Sequence, residues 1–193
     1  MDILIFATNN QHKVDEVKNI LGDRFKISSL KEAGIDIDIP EPHDNLEENA
    51  REKSSVIYNL TGKNCFSEDT GLEVAALNGA PGVKSARYAG DNADSEANIN
   101  KLLNEMSSKN NREARFRTVI SLIHNGQEHQ FEGICNGIIL DARKGGSGFG
   151  YDSVFVPEGS NKSFAEMEMK EKSLFSHRKK AMANLIEFLL HIY

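Results

Sequence analysis

The sequence predicts a mixed α/β fold, and three stretches carry that prediction. The chain opens on a continuous apolar run, Ile3 to Phe6, breaks at polar Thr8, Asn9 and Asn10, and then repeats Val14, Val17, Ile20 and Leu21 at helical spacing. Further on, Phe116, Thr118, Ile120 and Leu122 follow the two-residue period of a strand and lead to Asn125-Gly126, a hairpin-turn pair. From His177 to the end, Ala181, Leu185, Phe188, Leu189 and Ile192 recur on one face of a helix.

The elements between these follow in order. The first strand, loop and helix end at Gly22, a helix stop. A second helix is predicted from Asp44 or Asn45, because Asn45 and Glu48 have capping-box spacing and Leu46, Ala50 and Ile57 line one face; Gly62 ends it. Asn64 to Asp69 is predicted as a strand ending in acids, followed by Thr70-Gly71, and Asn78-Gly79-Ala80-Pro81-Gly82 must be a turn or loop. Ile99, Leu102, Leu103 and Met106 predict another helix. The hairpin at Asn125-Gly126 returns as an antiparallel strand around His129 to Ile134. Gly145, Gly146, Gly148 and Gly150 punctuate a loop leading to Tyr151-Asp152 and a strand at Val154-Phe155-Val156. There is no repeat, heptad array or low-complexity tract, so residues 1–193 read as one domain.

Composition narrows the functions available. At 193 residues and 39% hydrophobic, the chain can build a sizeable core. A net charge of -6 excludes a clamp on long nucleic acid, which needs a cationic stripe to displace counterions. The first apolar run is too short and wrongly flanked for a signal peptide, and no run reaches the ~18 apolar residues of a membrane span. Cys65 and Cys135 lack the paired spacing of a zinc site or disulfide framework, so a reducing cytoplasm is expected.

Five groups of residues can do chemistry. Thr8-Asn9-Asn10-Gln11-His12-Lys13 stands where a strand hands over to a helix; free amides, the helix dipole and the Lys13 charge there suit phosphate, although the same residues also make ordinary helix caps. Glu41 and the pair Glu68-Asp69 offer the carboxylate oxygens that magnesium prefers, and Asp69 can take a proton from an attacking water; the other reading is solvated surface acid. Lys53 lies on the polar face of the second helix, where solvation alone also accounts for it. Gly145 to Asp152 holds Phe149 between glycines as a stacking face or forms a plain hinge, and Lys172-Ser173 with Ser176-His177-Arg178 puts cations at a helix N-terminus, where the dipole disfavours them; the other reading is a capping serine followed by basic surface residues.

In order along nearly the whole chain, Thr8-Asn9-Asn10-Gln11-His12-Lys13, Glu41, Asn49-Ala50, Lys53, Glu68-Asp69-Thr70-Gly71-Leu72, Gly79-Ala80-Pro81-Gly82, Ser85-Ala86-Arg87-Tyr88, Phe149-Gly150-Tyr151-Asp152 and Ser176-His177-Arg178 resemble the inosine triphosphate pyrophosphatase family, also called the XTP/dITP pyrophosphatase or house-cleaning nucleotidase family. The resemblance implies an elongated, two-lobed α/β domain with a long central mixed β-sheet flanked by helices, a substrate cleft between the lobes, and a homodimer. It implies a magnesium-dependent enzyme that converts ITP, dITP and XTP to the monophosphate and pyrophosphate. By the same resemblance Asp69 is the proton acceptor, Glu41 and Asp69 hold Mg2+ with Glu68 as a further candidate, and Thr8, Asn9, Asn10, Gln11, His12 and Lys13 cradle the triphosphate with Lys53 and Thr70 in contact. Phe149, Gly150, Tyr151 and Asp152 form the base-pocket loop, and Lys172, His177 and Arg178 read the purine.

Two motifs depart from the family pattern: Asn9 replaces a glycine, and Glu68-Asp69-Thr70-Gly71 replaces Asp-Asp-Ser-Gly. Asn tolerates positive φ better than most residues, so a modest change is expected. A pyrophosphatase for pyrimidine or methylated nucleotides is disfavoured by His177-Arg178, and a silent nucleotide sensor by the retained acids.

Overall fold

The computed structural model describes residues 3–22 and 25–192. Among these, seven strands form one mixed sheet in the order β2-β1-β3-β5-β6-β7, with β4 paired to β3. The strands are β1 (Leu4–Phe6), β2 (Ile27–Ser29), β3 (Cys65–Val74), β4 (Pro81–Gly82), β5 (Glu113–His124), β6 (Gln127–Ile139) and β7 (Phe155–Pro157). The helices are α1 (Gln11–Leu21), α2 (Leu46–Thr61), α3 (Ser95–Met106), α4 (Met169–Phe175) and α5 (His177–Ile192). β1 runs parallel to β2 and β3, whereas β4 and β7 are antiparallel to β3 and β6. Asn125 and Gly126 both take positive φ, 50° and 80°, the two-residue hairpin turn their sequence calls for; so short a link between neighbouring strands β5 and β6 permits only an antiparallel pair.

The helix ends obey local chemistry. The Asn10 side chain accepts from the Lys13 amide at the start of α1, and the Asn45 side chain accepts from the Glu48 amide at the start of α2. Gly22 and Gly62 close these helices at positive φ, 55° and 65°, where a side chain would be strained.

The chain divides into two compact units: Met1–Asp69, Thr118–Gly133 and Arg178–Tyr193 form one, and Thr70–Arg117 and Ile134–His177 the other. The divisions fall inside β3, β5 and β6 and at the first residue of α5, so no linker marks them in the sequence.

In the first unit the β3 pleat sorts side chains to two cores. Phe66 joins Phe6, Val14, Val17, Met182, Leu185 and their neighbours, packing the sheet against α1 and α5; Cys65 joins Ile5, Leu30, Ile57 and Ile123 on the other core. Phe6 and Phe66 are register partners on neighbouring strands, and their rings stack 4.5 Å apart at 6°. The second unit has its own core of Leu72, Val74, Ile99, Leu102, Phe116, Phe155 and Phe164 with further apolar neighbours.

Several expectations change. The strand expected to end at Asp69 continues to Val74, because Leu72 and Glu73 pair with Gly82 and Pro81. Gly71 makes that approach feasible: a Cβ there would lie 2.6 Å from the Gly82 carbonyl oxygen. β5 begins three residues before Phe116, and β6 runs well beyond Ile134. Ile192, expected on the apolar face of the last helix, is 40% exposed, whereas Met182 and Ile186 are buried there. The short elements β2 and α4 carry no periodic signal long enough to read.

Candidate active site

The strand period decides the roles of the two acids. Successive residues of β3 point to opposite faces, so Glu68 follows Phe66 toward α1 and α5, and Asp69 follows Cys65 and Ser67 toward α2. Each acid therefore meets a different set of cations.

Glu68 is enclosed by donors. Arg178 Nε lies 3.0 and 2.8 Å from its two carboxylate oxygens, Arg178 Nη2 donates at 2.9 Å, and Lys13 Nζ stands at 3.1 Å. Arg178 Nη1 pairs with Glu16. Burial alone would raise the Glu68 pKa, but the Arg178 and Lys13 charges outweigh it and hold the carboxyl far below its usual range.

Asp69 meets Lys53 instead. Lys53 Nζ lies 3.2 Å from Asp69 Oδ1 and 2.5 Å from Glu41 Oε1. Burial raises the Asp69 pKa and the Glu41 charge adds to it, against the opposing pull of Lys53 and Lys13. Burial disfavours the Lys53 ammonium, but Asp69 and Glu41 more than compensate and keep it charged. Neighbouring carboxyls are thus pushed apart, one fixed as an anion and one made more basic, the pattern expected of an anchor beside a general base.

The segment from Thr8 to Lys13 connects β1 to α1. The Asn10 amide donates to Thr8 Oγ1 at 3.2 Å, and Asn9 Nδ2 donates to the Ile37 carbonyl at 2.9 Å. Asn9 is not among the residues with positive φ, so the family glycine's position needs no special backbone here, and the asparagine side chain ties the loop to residues 35–39. Gln11 donates to Asp15 at 2.7 Å along α1, and His12 is exposed.

In the second unit, Asp152 organises the glycine-rich loop. Its Oδ2 accepts from the Phe149 amide at 3.0 Å and from Lys172 Nζ at 2.7 Å, and that ammonium lies 5.0 Å from the Phe149 ring centroid and 5.3 Å from that of Phe164. Phe149 is 39% exposed. Gly148 at φ +86° admits this arrangement, since a Cβ there would come within 2.2 Å of Asp152 Oδ2. Tyr151 is buried with its hydroxyl donating to the Ser85 carbonyl at 2.8 Å, and the His177 ring stacks on Phe116 at 4.9 Å. Thr70, next to Asp69 along β3, is half-buried.

The structure thus brings together Lys13, Glu41, Lys53, Glu68, Asp69 and Arg178 in one unit, and Phe149, Asp152 and Lys172 in the other, where Tyr151, beside Gly150, bonds Ser85 and His177 stacks on Phe116. Sequence reasoning missed Glu16; its position three residues after Lys13, on the same face of α1, was the available signal.

Magnesium fits the first group by its donor set. Glu41 and Asp69 converge on a single cation, and magnesium binds through one or two carboxylates with water and substrate phosphates. Among the described residues no group of three or more His, Cys, Asp or Glu could hold a metal by itself.

Comparison with known proteins assigns the chain to a family. The profile of the Ham1 family matches residues 4–188. A dITP/XTP pyrophosphatase from Christiangramia forsetii is 48% identical over 186 residues, 96% of this chain and 98% of that one. Another, from Porphyromonas gingivalis, is 50% identical over 191 residues, 98% of each chain. The Ham1 protein structure from Staphylococcus aureus superposes with a TM-score of 0.91 at 38% identity, covering 99% of this chain and 100% of that one. A HAM1 protein from Coxiella burnetii gives 0.92 at 34% identity with the same coverage. On a match spanning nearly its full length, this chain belongs to the Ham1 family.

Proposed function

We propose that the chain hydrolyses non-standard purine nucleoside triphosphates (ITP, dITP and XTP) to the monophosphate and pyrophosphate, and so keeps them out of DNA and RNA. The split environment of Glu68 and Asp69 carries this reading, and the names of the full-length relatives support it. Asp69 accepts the proton of a water whose oxygen attacks the α-phosphorus. The new P–O bond forms as the bond to the bridging oxygen breaks, and pyrophosphate leaves. Lys13 and Lys53 neutralise the triphosphate, and the Gln11 and His12 amides in the first turn of α1, beyond reach of any carbonyl within the helix, donate to it with Thr8, Asn9 and Asn10 around them. Glu41 and Asp69 hold Mg2+, which when bound neutralises charge developing on the leaving pyrophosphate.

For the base, Phe149 supplies a stacking face, and Lys172 and His177 supply donors toward the 6-keto oxygen shared by hypoxanthine and xanthine. Adenine presents an amino group at that position, so donor faces donor, and such an unpaired contact rejects a ligand by roughly 10⁴–10⁵. We place the enzyme in the cytoplasm as a homodimer. Its two buried free cysteines suit a reducing compartment, and no helix among the described residues is long and apolar enough to cross a membrane.

A nucleotide panel assayed for pyrophosphate tests the reading. ITP and XTP should release pyrophosphate with magnesium and none with a chelator. Orthophosphate appearing without added inorganic pyrophosphatase would overturn it, and binding without turnover would make the chain a sensor. The base loop has its own test. Gly148→Ala should displace Asp152 and break its charge-assisted bonds to the loop and Lys172, raising KM for ITP roughly tenfold to a hundredfold. An unchanged KM would detach this loop from base binding.

A further inference from the structure

Outside the charged cluster, the face of β3 that carries Asp69 is lined by small polar side chains bonded to the backbone of α2. Ser67 is fully buried, and its hydroxyl donates to the Ala50 carbonyl at 2.5 Å. Two residues earlier, the Cys65 thiol lies 3.2 Å from the Ser54 carbonyl. Two residues later, Asp69 meets Lys53. The spacing is physically matched: two strand residues advance about 6.6 Å, and the four helix residues from Ser54 back to Ala50 span about 6 Å. Cys65–Ser54 and Ser67–Ala50 are thus equivalent steps of strand on helix, and Lys53, beside Ser54, reaches on to Asp69 with its long side chain.

We propose that Ser67 is a positioning residue: through its bond to the Ala50 carbonyl it sets the register of α2 on β3, and so holds the Lys53 ammonium at Asp69 and Glu41. This rests on the reading of Lys53 as a phosphate contact beside the base. Ala50, Lys53, Ser54 and Ile57 share one face of α2 by their spacing. The apolar members, Ala50 and Ile57, pack without directional preference, and their contacts survive a small slide or roll of the helix. A hydroxyl-to-carbonyl bond does not. Slipping α2 by one residue would shift Lys53 by about 1.5 Å and turn it by about 100°, out of reach of both acids.

A second tie supports the same register. Ser54 Oγ lies 2.8 Å from Ser121 Oγ, and Ser121 Oγ lies 2.9 Å from Glu128 Oε1. Ser54 Oγ also lies 3.0 Å from the Arg51 carbonyl, so its one proton is divided between that carbonyl and Ser121, while the Glu128 carboxylate can only accept. Arg51, also on α2, closes onto Glu128 at 2.7 Å. All three serines are fully buried, where an unbonded hydroxyl would be costly.

A double-mutant cycle on the full chain tests the proposal, with kcat and KM for ITP and the melting temperature measured for wild type, Ser67→Ala, Lys53→Met and the pair. Ser67→Ala should lower kcat on the order of tenfold to a hundredfold, the cost of a misplaced charge. In the Lys53→Met background the same change should alter kcat by about twofold or less, because the group it positions is gone. Equal factors in both backgrounds would make Ser67 merely structural and overturn the proposal, as would an unchanged kcat in Ser67→Ala. If Lys53→Met itself turns over like wild type, the reading of Lys53 falls instead. Should Ser67→Ala not fold, Ser67→Cys, which keeps a weak donor, enters the same cycle.

Discussion

Replacing Asp69 by Asn should lower kcat for ITP by roughly 10²–10⁴ while leaving the fold intact. The amide is nearly isosteric and keeps an oxygen to accept from Lys53, which retains its ion pair with Glu41 at 2.5 Å. What disappears is the proton acceptor. Glu68 cannot take over, because Arg178 and Lys13 occupy its oxygens and hold it far below the pKa a base requires. Circular dichroism and a melting temperature near the wild-type value should accompany the loss. A folded Asp69→Asn enzyme with wild-type kcat would place the base elsewhere. The pH profile gives a second check: burial raises the Asp69 pKa, so the acid limb of kcat/KM should lie at a higher pH than an unperturbed aspartate would give and should vanish from the residual activity of Asp69→Asn.

Arg178→Ala should destabilise the protein by about 3–5 kcal/mol, the cost of removing one partner from a buried ion pair. Arg178 is 2% exposed, and its removal leaves Glu68, also 2% exposed, with only Lys13 of the cations that hold it, and deprives Glu16 of its Arg178 contact. For a chain of this size each kcal/mol corresponds to roughly 2–4 °C in melting temperature. The effect should depend on pH with a definite sign. The folded-state pKa of Glu68 lies below its ordinary 4.5, so its paired state contributes stability above that pH and loses it as pH falls below. The gap between wild type and Arg178→Ala should therefore be widest near neutrality and shrink in acid. A pH-independent gap would mean that lost packing, rather than the ion pair, sets the cost. Activity separates anchoring from base reading. If Arg178 serves only to hold Glu68, kcat/KM falls by the same factor for ITP and ATP, whereas a contact to the 6-keto oxygen narrows the ratio between them.

Local interactions made much of this protein legible in its sequence. Asn10 and Asn45 cap helices because their side chains reach amides three residues on, and Gly22, Gly62 and the Asn125-Gly126 turn take backbone angles that few other residues accept. Such features depend on neighbours in sequence, so their positions could be read directly. The order of motifs from Thr8 to Arg178 likewise identified the family, since each motif is a contiguous piece of chain. What lay beyond local reach was decided by tertiary contacts. The length of β3 depends on Gly82 and Pro81 pairing across to Leu72 and Glu73, and the division into two units falls within strands. Glu68 and Asp69 look alike as adjacent acids, yet the pleat sends them to opposite faces. One meets Arg178, 110 residues away, and the other meets Lys53 on α2. Their separation into an anchored anion and a raised-pKa acid follows from which charges and how much buried surface surround each, quantities that exist only once distant segments have packed together.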